Sequence, residues 1–178
     1  MNRAALFTRA AANALPEGSK ERALATAGLR RWWHALFDPC PELSRRYGDG
    51  NRDFMDPFLE SADRDRLAMD WTLHARLLTW MKETRPAELD AALAQELLAA
   101  AAARWANFDQ SGARGALLYF TGMGGLGVAA WKPRSAEEDS RVVLIRLPPP
   151  ASEPSGVFFA DFESAQYPVK PDWRPLSD

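Results

Sequence analysis

Asp70 and His74 stand four residues apart in a stretch of helical pattern, a spacing that places a carboxylate and an imidazole on one helix face. An orienting acid beside a general base has that arrangement. Cys40 or a serine would have to supply the nucleophile. No Gly-x-Ser-x-Gly elbow surrounds any serine, and Cys40 lies in Asp38-Pro39-Cys40-Pro41, which matches no catalytic context. The other reading of His74 is a hydrogen-bonded residue at the edge of an apolar face, and His34, beside Trp32 and Trp33, reads the same way. Asp70 and His74 are kept as the site of an alternative, a small hydrolase-like enzyme.

A second cluster is oxygen-rich. Asp49, Asn51, Asp53 and Glu60 occupy positions 1, 3, 5 and 12 of a calcium loop of the EF-hand kind. However, Phe54 stands where that loop turns on glycine, Pro57 takes position 9, and no entering helix precedes Tyr47. The segment is therefore read as a polar turn, with Asp49 and Asn51 bonding backbone amides. No metal and no cofactor is expected.

The third candidate is the glycine run Gly122-Met123-Gly124-Gly125-Leu126-Gly127, set between two apolar stretches. Phosphate-cradling loops need a helix whose N-terminus follows the glycines. Here Val128-Ala129-Ala130-Trp131-Lys132-Pro133 follows, too short and apolar for that helix, and no Gly-Lys-Ser/Thr tail is present. A tight hairpin accounts for the glycines.

The elements that would position these groups follow from periodicity. Ala4, Leu6, Phe7 and Ala11 give a short first face, ended by Pro16 and Gly18. Ser19 can cap a second helix to Phe37, with Leu29, Trp32, Trp33, Leu36 and Phe37 as its apolar stripe. Residues 38–62 read as irregular, with single turns near 42–46 and 54–59. A third helix is expected from Asp63 or Asp65 through Leu67, Trp71, His74, Leu78 and Met81, and a fourth from Pro86 through Leu93, Leu97, Trp105 and Phe108. Beyond Asn107 the pattern turns to strands at 116–120, 126–131, 142–147 and 157–162, with links short enough for antiparallel pairing. The fold expected is α+β: about four N-terminal helices packed on a C-terminal antiparallel sheet of about four strands. One domain is expected, helical over 1–110 and sheet over 111–165, with an extended tail over 166–178 pinned by Trp173.

Composition narrows function by exclusion. A net charge of −2 over 178 residues offers no general attraction for nucleic acid or an anionic membrane. No run reaches the length of a membrane span, and residues 1–15 lack the continuous apolar core of a signal peptide. The single Cys40 suits a reducing compartment, so cytoplasmic residence is expected. Charge is segregated: residues 1–36 hold six basic and two acidic side chains, residues 37–65 four and eight. Seven tryptophans mostly fall at core spacing. The reading favoured is a non-enzymatic protein-binding protein, a bacterial inhibitor, immunity protein or accessory chaperone. Its partner would be another protein, such as a basic toxin or effector, met by Asp49, Asp53, Asp56, Glu60 and Trp33.

Overall fold

The computed structural model describes residues 9–48, 52–64, 69–135, 137–146 and 156–176. The chain divides into two compact units, residues 1–69 and residues 70–178.

The first unit is helical: α1 (Arg9–Asn13), α2 (Lys20–Phe37), α3 (Pro41–Tyr47) and α4 (Arg52–Arg64). Ser19 caps α2 as expected, its Oγ accepting the Arg22 amide at 3.1 Å. The segment read as irregular is largely helix instead. Pro41 starts α3, where a missing amide costs nothing, and Glu42 steadies that single short helix by accepting from both Arg45 and Arg46 at 2.5–2.8 Å. Those two hydrogen bonds, Arg45 first, hold the Glu42 carboxyl down at about 2 from an ordinary 4.5. In α4, Phe54 with Phe58 and Met55 with Leu59 repeat every four residues and are all buried, which carries the helix past Pro57. Tyr47 stacks on Phe54 with ring centroids 4.1 Å apart.

The second unit holds α5 (Leu73–Thr84), a 3-10 turn (Pro86–Glu88), α6 (Ala91–Phe108) and five strands. The strands are β1 (Gly115–Phe120), β2 (Leu126–Trp131), β3 (Arg141–Ile145), β4 (Val157–Phe162) and β5 (Arg174–Pro175). Two expected helix starts shift. Helix α5 begins at Leu73, after a turn at Asp70–Thr72, and α6 begins past Pro86, with Asp90 capping it by accepting the Leu93 amide at 2.9 Å. The sheet is wholly antiparallel in the order β3-β2-β1-β4-β5. The α+β class is therefore as read, with β5 added where an extended tail was expected.

Gly122 to Gly127 is the β1–β2 turn. Met123, Gly124 and Gly125 have φ of 55°, 79° and 83°, and the Gly125 amide donates to the Gly122 carbonyl at 3.0 Å. Central strand β1 is buried along its whole length, as a strand covered on both faces must be. On the face carrying Leu118 and Phe159, Trp105 of α6 and Trp71 lie 6.3 and 4.8 Å from the Phe159 ring. On the opposite face Leu117, Ala129, Ala160 and Phe162 cluster, joined by Trp131, Ile145 and Trp173.

Candidate functional site

The sequence-derived candidates are divided between the two units. His74 lies on α5 and is fully buried, whereas Asp70 precedes that helix, so the two do not share a helix face. The Asp70 carboxylate accepts from the Thr72 amide and hydroxyl at 2.8 and 2.7 Å, closing the turn that leads into α5. Cys40 is buried at the N-cap of α3. Asp49 lies outside the described residues, as does the side chain of Asp53. Asp56 is half-buried and Glu60 exposed, both on α4. The calcium-loop alternative is overturned by that helix: residues from Arg52 onward are α-helical, so they cannot wrap an ion as an irregular loop does. No group of three or more potential metal ligands occurs among the described residues. Trp33 is half-buried, packed on Phe37 with centroids 5.1 Å apart, and His34 beside it bonds Asp38 at 3.1 Å.

A different set of residues converges within the second unit. Strand register aligns Phe162, Gly115, Trp131 and Arg141 in one row across β4, β1, β2 and β3. Opposed residues in antiparallel strands project to the same face, so these four form a single line of neighbours. Gly115 is what permits it. A Cβ there would collide with the Phe162 ring and with the Ala130 carbonyl. With no side chain in the way, Phe162 lies over β1 and meets Trp131 edge-on, with centroids 6.0 Å apart at 75°. The Arg141 guanidinium lies over the Trp131 ring, 5.3 Å from its centre.

This row forms part of the wall of a cavity of about 330 Å³ lined by Arg114, Trp131, Lys132, Arg134, Glu138, Asp139, Arg141 and Ala165. Four of these side chains are cationic and two anionic. Lys132 is committed: its Nζ donates to Asp109 Oδ2 at 2.8 Å and to the Ser111 carbonyl at 2.6 Å, and lies 4.9 Å from the Trp105 ring. Burial opposes ionisation of Asp109, but the hydrogen bonds from Lys132 and Ser111 outweigh it and hold the carboxyl below its usual range. Glu138 is committed as well, accepting the Arg134 amide at 3.0 Å. The guanidinium groups of Arg114, Arg134 and Arg141 make no hydrogen bond or ion pair with the described residues. The indole Nε1 of Trp131 is buried and has no acceptor among them. A buried donor left in that condition costs about 1–3 kcal/mol. The wall is thus rich in donors, and only Lys132 among its four cations is neutralised by a partner.

The model of the MbnC-like family, methanobactin biosynthesis cassette proteins, matches residues 12–177. The chain belongs to that family. It is therefore a component of methanobactin biosynthesis, which overturns the expectation of an inhibitor, immunity protein or accessory chaperone. That expectation rested on ordinary composition and segregated charge, features that a biosynthetic protein shares. No curated protein matches the chain. No helix among the described residues of this family member is long and apolar enough to cross a membrane. The aligned row and its arginines escaped sequence reading because they are dispersed between positions 114 and 162. Gly115, at the head of a strand-like run, was the signal available, since glycine in a strand marks close approach by another group.

Proposed function

We propose that the chain serves methanobactin biosynthesis by holding an extended segment of another polypeptide of that pathway along the outer edge of β3. The supporting observation is the state of that edge. β3 pairs with β2 on one side, and among the described residues no strand pairs with it on the other. Leu144 on it is 52% exposed, and the strand contains neither proline nor lysine, the residues that commonly protect an edge. Strand addition takes its affinity from main-chain hydrogen bonds and its selectivity from alternate side chains. A cytoplasmic location fits this reading, since the single Cys40 has no second cysteine in the chain to pair with.

The test is a pair of proline substitutions, Val142→Pro and Val143→Pro. Adjacent amides in an edge strand point alternately toward the neighbouring strand and outward. One substitution therefore breaks the β2 ladder and lowers the melting temperature, while the other removes only an outward donor. The variant that keeps its melting temperature is expected to capture the co-expressed pathway proteins at least about tenfold more weakly, a loss near 1.4 kcal/mol. Undiminished capture by that variant rejects the β3 edge as the binding surface.

A further inference from the structure

We propose that the cavity beside Trp131 is a carboxylate-binding site, in which Arg114 and Arg141 supply the charge and the hydrogen bonds. Three features converge on an anionic oxygen ligand. Four cationic side chains line the cavity against two anionic ones. The Arg114, Arg134 and Arg141 guanidinium groups are unpaired among the described residues, although Glu138 and Asp139 line the same cavity. The Arg141 guanidinium lies 5.3 Å from the centre of the Trp131 ring, a cation–π contact that holds it at the cavity wall.

A planar two-oxygen acceptor suits this donor set. A guanidinium edge offers two parallel N–H groups at the spacing of the two oxygens of a carboxylate. A cavity of about 330 Å³ has room for an acidic side chain or a small acid. The position also explains the long-range support around it. Asp109 and the Ser111 carbonyl hold Lys132, the neighbour of Trp131, and Gly115 lets Phe162 brace the indole from the far side. The ring is thereby fixed before any ligand arrives, so little ordering is left to do on binding. Glu138 and Asp139 at the exposed rim act against a second negative charge and favour a single carboxylate over a polyanion. The carboxylate has two sources, an acidic side chain of a polypeptide or a free small acid, and the site stands whether or not β3 takes an added strand.

The experiment follows the Trp131 indole N–H in 15N-labelled protein, assigned by its disappearance in Trp131→Phe. Three probes are titrated: succinate, a Glu-containing hexapeptide blocked at both ends, and inorganic phosphate. The expected result is a saturable shift of that resonance, as a reporter in the cavity wall, with succinate, the peptide or both, and a Kd raised about tenfold in the double variant Arg114→Gln/Arg141→Gln. A response to the blocked peptide alone identifies an acidic side chain as the ligand, and a response to succinate alone a free acid. No shift with either carboxylate, a response to phosphate only, or an unchanged Kd in the double variant overturns the proposal. Because both arginines lie outside the apolar cluster, the double variant keeps its fold, and its melting temperature serves as the check. The proline variant that still folds gives the same titration if the cavity works apart from the strand edge.

Discussion

At one margin of the sheet β5 lays Arg174 and Pro175 along β4; at the other, β3 presents Arg141–Ile145 with nothing described beyond it. The first margin is finished in several ways at once. Pro175 has no amide to offer a further strand, Arg174 pairs with Asp161 at 2.7 Å and covers the Phe159 ring at 5.1 Å, and Trp173 sits 5.7 Å from Tyr119. The second margin has none of these devices and exposes Leu144. Sheet edges are normally protected because unpaired strands recruit other chains. Among the described residues one edge is protected and the other is bare, and the arginine cavity lies toward the bare edge, the one proposed to bind.

The strongest way to break this contrast is to undo the finished edge. Trp173→Ala removes an indole packed on the Leu117, Ala129, Ala160 and Phe162 cluster and is expected to cost roughly 2–3 kcal/mol, read as a lower urea midpoint. Loosening β5 should also bring concentration-dependent self-association by light scattering, and a monomer of full stability would show that β5 closes nothing. Next comes Asp109→Asn, which takes the anion from Lys132 beside the open margin and should cost on the order of 1–2 kcal/mol at neutral pH. The sign of its pH dependence is fixed by the lowered folded pKa. The contribution of Asp109 is fully present above its ordinary value of 3.8 and disappears as pH falls through the lower folded value, so the Asn variant should lose that part of the acid slope. The smallest effect is expected at the open edge. Leu144→Lys should alter stability by no more than about 0.5 kcal/mol while reducing any self-association, measured by sedimentation.

Legibility followed how local the determining interactions are. Helix α2 was readable because Ser19 and the stripe ending at Leu36 and Phe37 lie in one window. The β1–β2 turn was readable for the same reason, its glycines adopting the positive φ that their density implied. Helices α3 and α4 were read only as single turns near 42–46 and 54–59, although Phe54, Met55, Phe58 and Leu59 already carried a four-residue repeat. β5 escaped because two residues, one of them proline, form no pattern and pair only through tertiary context. The cavity escaped for a stronger reason. Nothing in the sequence states that Gly115 opposes both Phe162 and Trp131, and only that register brings Arg141 onto the indole.

That shared use of β1 also sets unequal costs of chain closure. β1 reaches β2 across one short turn, whereas its other partner must return from far along the chain. Thr121 and Gly156, 35 positions apart, clasp each other there: the Thr121 amide donates to the Gly156 carbonyl at 3.1 Å and the Gly156 amide to the Thr121 hydroxyl at 3.0 Å. Local hairpins close in about 1–10 μs, and distant pairings wait for a longer search. Closing β1 on β2 therefore costs less chain entropy than closing it on β4. The double clasp at Thr121 and Gly156 fastens the end of the costlier pairing, where the chain returns after its longest excursion within the sheet.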